Sequence, residues 1–561
     1  MPDGGGDVEA RDPVGPERVV VAEQPTEETP PRPDEAAPPA APRLLEDRRY
    51  LLLCAVLVAL MVSFTVKARW GSGLDIWEHA AAARELGEHP LDPGHPLFAV
   101  DRPHQFMSPY HLVVGLLARV TGLSVVTVLS WAGIANLVVF LVALWLFVTR
   151  LTKRVGTAFY ALLFILFLWG INAWYFSGFL HFKVLPLVLP YPSTFAKGLT
   201  LLALWYHLRF LETENTKLLL PVVLLASVAL LAHPVDAIFL YIGIAALTLG
   251  GPRIGREWNL VLSGAAVVAS FLLAFLWPYF SLYDLLFGAA NEGYRQAIAG
   301  ADRDMYVDVL GRVWPALVVL PFVGRRLWVN GRDPLALFFV GVLLAYLFGW
   351  RTEEWSYGRL ISSLALVGAV ILADERVRAS EAAMALGERG RPALQWVQVT
   401  TLALIVVGAF NVRNGFVVLP ESVLEDVPYS WVHSDVDLAK LSQYSFLTRF
   451  AGDGDVVLSD VYSSLEVPTF GAKAVALARA EPFVDTSQRG SDLLRFFDEN
   501  TSEADRRQII ERHRVSWLLL RNERIATEPT TYGAVVGMGP VAHRNERFTL
   551  VDLRVPGSSG S

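Results

Sequence analysis

Eleven apolar stretches, many close to 20 residues long, dominate this chain, and runs of that length mark membrane helices. They lie at residues 50–67, 126–149, 155–172, 193–210, 217–232, 235–250, 257–277, 309–324, 334–350, 359–373 and 395–411. With 53% hydrophobic and 18% charged residues over 561 positions, the chain carries more apolar surface than a soluble fold would tolerate. The expectation is a polytopic α-helical membrane protein with about eleven spans.

The distribution of basic residues tests this threading. Arg48 and Arg49, Arg150 with Lys153 and Arg154, Arg209 with Lys217, Arg253 with Arg256, Arg325 with Arg326 and Arg332, and the cluster Arg376 to Arg391 fall on one side. They do so only if residues 108–121 lie along the surface instead of spanning. The N-terminus is then cytoplasmic in an inner (plasma) membrane. Residues 70–125, 173–192, 278–308, 351–358 and everything after 412 face outward.

Residues 1–43, rich in Pro, Ala and acids, cannot bury a core and read as a disordered cytoplasmic tail. The first apolar run comes too late and is too long for a cleavable signal, so it should remain as an anchor. Residues 44–411 form the membrane domain. Beyond it, short buried strands at 455–460, 515–520 and 548–555 alternate with helices at 491–500 and 502–514, and Ser502 with Asp505 resembles a capping pattern. Residues 412–556 therefore read as an extracytoplasmic α/β domain, and 557–561 as a flexible tail. The single cysteine, Cys54, excludes an internal disulfide and a thiolate metal cluster. A net charge of −7 argues against a nucleic-acid partner.

The polar residues of the outward segments carry the chemistry, because acids and histidines are costly in lipid. Asp75-Ile-Trp-Glu-His79 opens a short helix over 75–86. Asp75, His79 and Ala82 share one face at helical spacing, and the following alanines leave room for a substrate. Asp75 fits a general base, with Glu78 or His79 placing an acceptor or a metal. It also fits an N-cap, with Glu78 three residues on completing a capping box. A proline-rich strap then carries His95 and His104. Histidines with aspartates could hold a divalent ion such as Mg or Mn, but their spacing matches no standard zinc pattern. His181, Lys183 and Tyr191 follow in segment 173–192. Lys197, one turn inside a span, should face a polar cavity, an anion or the near interface. His233 and Asp236 join two spans and would line a cavity or make a plain turn. In loop 351–359, Arg351 and Arg359 flank Tyr357. Outward arginines at a span mouth suit a lipid-borne phosphate, unless Glu353 or Glu354 pairs with them.

With these residues in place, the chain resembles a GT-C superfamily glycosyltransferase. Such proteins have many spans, a long first outward loop with two surface helices (here 75–86 and 108–121), and an early acidic residue in that loop, here Asp75. Protein O-mannosyltransferases and actinobacterial arabinofuranosyltransferases are of this type. The resemblance implies a polyprenyl-phosphate sugar donor, a glycan, lipid or protein acceptor in the cell envelope, membrane lipids as surroundings, and a part in bacterial cell-wall biogenesis. It implies inverting transfer, with Asp75 as base and Arg351, Arg359, Lys197 or Lys183 at the donor phosphate. His95, His104, His181, Tyr191, His233, Asp236 and Tyr357 would line the cavity. The chain departs from the family's adjacent acid pair, having Asp75 and Glu78 instead, which leaves metal use open. A transporter would need polar, broken helices at mid-membrane in repeated halves. A non-catalytic envelope scaffold would leave the loop acids dispensable, and a lipid-linked polymer ligase would use similar donors.

Overall fold

A computed structural model of the protein describes residues 44–68, 75–251, 256–288, 290–419 and 440–554. The tails expected at 1–43 and 557–561, the start of the first loop at 70–74, and Arg253 lie outside the described residues.

The molecule is built mainly from helices around one large apolar core. Helices α1 (Arg48–Lys67), α2 (Ile76–Glu88), α3 (Pro109–Thr121) and α4 (Val125–Thr152) come first. Among the described residues, six helices are long and apolar enough to cross a membrane, or seven if one pair bent by 65° counts as a single span. The eleven expected spans are therefore not all reproduced. Thr157–Phe167 is an 11-residue helix, and Pro234–Gly250 has 17 residues. At ~1.5 Å per residue the first reaches only about half the ~30 Å hydrocarbon thickness. The run at 309–324 is broken into Val309–Val313, a 3-10 turn at Trp314–Val319 and a new helix at Leu320–Val329. Pro315 and Pro321 sit at the starts of the last two pieces, where a missing N–H does no harm but a continuous helix would lose its ladder.

Helix α3 has 13 residues, too few to span, in keeping with the surface position expected for 108–121. It packs on α2 almost backbone to backbone. A Cβ at Gly115 would lie 2.1 Å from the Ala83 carbonyl, and one at Gly87 would lie 2.5 Å from the Gly115 carbonyl. Ala80, Ala81, Ala82 and Ala83 are wholly buried in the same contact. The alanines thus close the α2 surface against neighbours; they do not leave the open face expected from their size.

At the other end of α4, Arg154 pairs with Asp374 at 3.3 Å. Arg326 joins the same cluster through Glu375 at 2.8 Å and Asp333 at 3.2 Å, and it also pairs with Asp374. With 28 residues, α4 separates this cluster from α3 by about 40 Å.

After residue 440 the chain forms a five-stranded sheet of β1 (Val456–Ser459), β2 (Lys473–Ala474), β3 (Trp517–Arg521), β4 (Val541–Arg544) and β5 (Phe548–Asp552), in the order β2-β1-β3-β5-β4. The β2-β1-β3 half is parallel and the β3-β5-β4 half antiparallel. Alternation sends Val456, Leu458, Leu518 and Leu520 toward Leu493, Phe496 and Ile509, while Val457, Trp517 and Leu519 pack with Tyr444 and Leu447 on the other face. The expected strands and helices are present, and Ser502 caps Glu503–His513 by accepting from the Asp505 N–H at 3.1 Å. The short β2 and the edge strand β4 are additions to the expected set.

Candidate active site

Asp75 stands at the N-terminus of α2, yet its carboxylate makes no capping hydrogen bond. Its backbone N–H donates to the Tyr191 hydroxyl at 3.1 Å, and Arg479 reaches Oδ2 at 3.3 Å. Its side chain is 32% exposed, while that of Glu78 is fully buried. The capping box expected from Asp75 and Glu78 does not form, because both acids turn toward the same guanidinium. Arg479 reaches Glu78 Oε2 at 2.5 Å, from the segment just after β2.

Glu78 also faces His104 at 3.5 Å, and His104 meets Glu481 at 3.0 Å. Two residues from the C-terminal domain, Arg479 and Glu481, thus enter the first loop's cluster. Several contacts hold them there. The Ala474 N–H donates to the Leu97 carbonyl at 2.8 Å, extending β2 onto the strap. Lys473 donates to Glu85 at 2.5 Å and to the His95 carbonyl at 2.9 Å. Thr469 donates to the Trp77 carbonyl at 3.0 Å.

His79 lies against the same group. Its Nδ1 is 2.9 Å from His111 Nε2, and His111 Nδ1 is 2.9 Å from Ser108 Oγ. The His79 ring stacks on Phe106 at 4.3 Å and meets Tyr191 edge-on at 4.9 Å. Tyr191 is itself fixed from behind. Tyr110 donates to the Pro190 carbonyl at 2.6 Å, and Asn136 donates to the Leu189 carbonyl at 2.9 Å.

Burial works against a charge on Asp75, but His79 and Arg479 outweigh it and hold the carboxyl below the ordinary aspartate range. Burial pushes the pKa of His79 down to about 4, so it is neutral at physiological pH and adds positive charge only in acid. Glu78 shifts the other way, since burial and the nearby Glu481 outweigh Arg479 and His104. Burial also opposes a charge on His104, but Glu481 and Glu78 outweigh it and keep a proton on the ring. Of the two acids, Asp75 is the one whose charge its surroundings favour and whose side chain solvent reaches.

His95, His104 and Glu481 bring one donor atom each within 4.8 Å of one another, as a metal site would. The tautomers argue otherwise. His95 Nδ1 accepts the N–H groups of Leu97 and Phe98 at 3.1 and 3.2 Å, so its neutral ring carries the proton on Nε2, the only nitrogen left for a metal. His104, held protonated by Glu481 and Glu78, carries a proton on its Nε2 as well. The position between Asp75 and Glu78 already holds a guanidinium. This donor set does not fit a divalent ion. A second group, Glu88, His89 and Asp453, is exposed and away from the buried cluster.

The other expected residues lie elsewhere. His233 borders the site, within reach of the field of His79. It meets Asp236 at 2.9 Å; Asp236 also pairs with Lys197, which in turn donates to Ser363 Oγ at 2.7 Å. The charge on Lys197 is thus answered inside the bundle. Arg359 donates to Asp302 at 2.9 Å and covers the Phe176 ring at 5.0 Å. Burial pushes the Tyr294 hydroxyl up, with the charges of Arg479, Glu78 and Arg359 acting on it. Arg351 is exposed at the end of Pro334–Thr352. Tyr357 packs edge-on to Phe348 at 5.5 Å. Lys183 lies over Tyr175 at 4.4 Å, its pKa lowered by burial and by Arg413 and Arg312. His181 Nε2 is 2.9 Å from the Trp174 carbonyl. No described contact joins Arg351, Tyr357, Lys183 or His181 to Asp75.

Sequence reasoning missed Arg479, Glu481, His111 and Tyr294. The signal for the first two was present: two charges at i, i+2 in the otherwise apolar run 474–484, on one face of an extended segment.

The fold has counterparts among solved structures. ArnT from Cupriavidus metallidurans bound to undecaprenyl phosphate superposes with a TM-score of 0.53 at 12% identity, covering 90% of this chain and 97% of that one. The Archaeoglobus fulgidus oligosaccharyltransferase in its apo form gives 0.52 at 11% identity, covering 85% and 70%. The same oligosaccharyltransferase in complex with zinc and sulfate gives 0.50 at 12%, covering 84% and 68%. The chain therefore shares its fold with these proteins. No protein-family model and no curated protein matches the sequence.

Proposed function

We propose that this protein is a membrane glycosyltransferase that moves a sugar from a polyprenyl-phosphate donor to an acceptor hydroxyl of the cell envelope on the extracytoplasmic face. The observation that carries the reading is the state of Asp75: an ionised, part-exposed carboxylate, unused as a cap and fixed between Arg479 and Tyr191. The undecaprenyl phosphate held by the ArnT structure supports the donor class.

In this reading the acceptor oxygen attacks the anomeric carbon as the bond from that carbon to the phosphate oxygen breaks. The electron pair leaves with the polyprenyl phosphate. The acceptor proton passes to Asp75, and a single displacement inverts the anomeric centre. A carboxylate held below its ordinary range is fully ionised at neutral pH but weakly basic, so it takes the proton late, once the new C–O bond has acidified the hydroxyl. Phosphate is a good leaving group and needs no strong acid. Arg359, with Arg351 at the end of the preceding helix, would balance its charge. Lys197 is less suited to that role because its single ammonium is buried and engaged by Asp236 and Ser363, whereas the described contact of Arg359 with Asp302 uses Nε and leaves the terminal nitrogens of the fork for a phosphate.

The test is turnover of reconstituted protein with polyprenyl-phosphate sugars, followed by release of polyprenyl phosphate. Wild type should release it in proportion to sugar transferred, and Asp75→Asn should not, at unchanged melting temperature. Full turnover in Asp75→Asn would overturn the assignment.

A further inference from the structure

The two acids of the first loop face a cation, and that cation comes from the far end of the chain. The Arg479 guanidinium lies 3.3 Å from Asp75 and 2.5 Å from Glu78, and it reaches them from 404 residues away from Asp75 in sequence. Its surroundings are built to keep it there. Lys473 and Ala474, six and five residues before it, are tied to Glu85 and Leu97. The Phe106 ring lies 6.0 Å from its guanidinium carbon.

Two carboxylates turned toward one point repel each other and are held together by a cation, a role that a bound divalent metal can fill. We infer that in this protein Arg479 is a built-in substitute for that metal, positioning Asp75 so that the enzyme needs no divalent ion. Three observations point the same way. The space between Asp75 and Glu78 is filled by a guanidinium. The histidines that could join a metal group, His95 and His104, both carry a proton on Nε2, His95 because its Nδ1 accepts backbone N–H groups and His104 because Glu481 and Glu78 hold it charged. Glu78, the acid that a metal would need ionised, has its pKa raised by burial and Glu481. A planar fork of five donors can hold two carboxylates in one fixed arrangement, which a flexible lysine cannot. Arg479 acts through Asp75 and is a positioning residue.

This inference rests on Asp75 being functional, and its test separates the two ideas by reading metal binding as well as turnover. Full-length protein, dialysed against EDTA, is titrated with Mn2+ and followed by electron paramagnetic resonance. Wild type should take up no Mn2+ that depends on Asp75. Arg479→Ala, which vacates the position between the acids, should gain one Mn2+ site, and Asp75→Asn in that background should remove it again. Arg479→Lys keeps a cation there and should gain none. Wild-type transfer should survive EDTA, and added Mn2+ should recover at least part of the turnover lost in Arg479→Ala. A wild-type Mn2+ site lost in Asp75→Asn, or transfer abolished by EDTA and restored by Mn2+, overturns the inference. So does an Arg479→Ala protein that stays folded yet gains no site. Should Arg479→Ala fail to fold, the wild-type titration and the EDTA result decide alone. If wild type transfers no sugar from any donor, the glycosyltransferase reading fails while the Mn2+ comparison still stands.

Discussion

Two buried ion clusters sit near opposite ends of the helical bundle, and they are finished to different degrees. In the cluster around Asp374, Arg326, Arg378 and Arg154 all donate to carboxylate oxygens in aligned hydrogen bonds, and Glu375 and Asp333 take the remaining donors of Arg326. In the cluster around Glu78, the ions approach at ion-pair distance, but neither carboxylate oxygen of Glu78 or Glu481 and not Nε2 of His104 has an aligned hydrogen-bond partner. The Asp374 cluster is a closed clamp that joins helices. The Glu78 cluster retains donor and acceptor capacity beside a part-exposed Asp75, as a site that receives a ligand must.

If that contrast is right, mutations at the two ends should fail in different ways. The largest effect belongs to Asp75→Asn, which keeps shape but removes the base. Transfer should fall by at least about 100-fold, the low end of what a general base contributes, with melting temperature unchanged. Arg479→Ala should follow, with a loss on the order of 100-fold and a displaced pH profile. Arg479 lowers the Asp75 pKa while burial raises it. Without the guanidinium the folded Asp75 pKa rises, so the acid limb of kcat/KM must move to higher pH. A limb that stays in place would detach Arg479 from Asp75.

At the other end, Asp374→Ala removes the carboxylate shared by Arg326, Arg378 and Arg154 but leaves Arg326 its contacts with Glu375 and Asp333. The loss should therefore stay below the about 3–5 kcal/mol of a buried charge left without a partner, and denaturant unfolding in detergent should register it. Turnover per folded molecule should be unchanged, and a loss there would erase the distinction between the clusters. The smallest effect is expected for Arg359→Gln: about tenfold in donor KM with little change in kcat, if one charge-assisted contact worth about 1.5 kcal/mol is lost.

The helical membrane architecture was legible because apolar run length reports directly on lipid exposure. Residues 108–121 could be read as a helix that does not span from the spacing of the basic residues, and at 13 residues α3 is short enough to agree. The break at 314–321 was harder to see. Pro315 and Pro321 lie in a run whose hydropathy alone suits a span, and only the backbone shows that each proline begins a new piece. In the site, Asp75, Glu78, His79, His104 and Tyr191 could be found in sequence because they cluster within outward segments. Arg479 and Glu481 could not be joined to them, since pairing across more than 370 positions depends on how β2 docks on the strap, and no local pattern encodes that. The role of the alanines was misread for a related reason: a small side chain permits an open face or a close helix contact, and Gly115 opposite decides for contact.

The docking of β2 onto the strap has a consequence for how the protein is made. A ribosome that has delivered every membrane helix has still not delivered Arg479. Until those last residues emerge, Glu78 is an acid in a hydrophobic setting without its principal counter-ion. If Asp75 is the base proposed for it, the nascent chain is inserted before it is competent, and the segment that carries Arg479 and Glu481 completes the site last. A chain cut short after the membrane region would then lack the cation that Asp75 and Glu78 share.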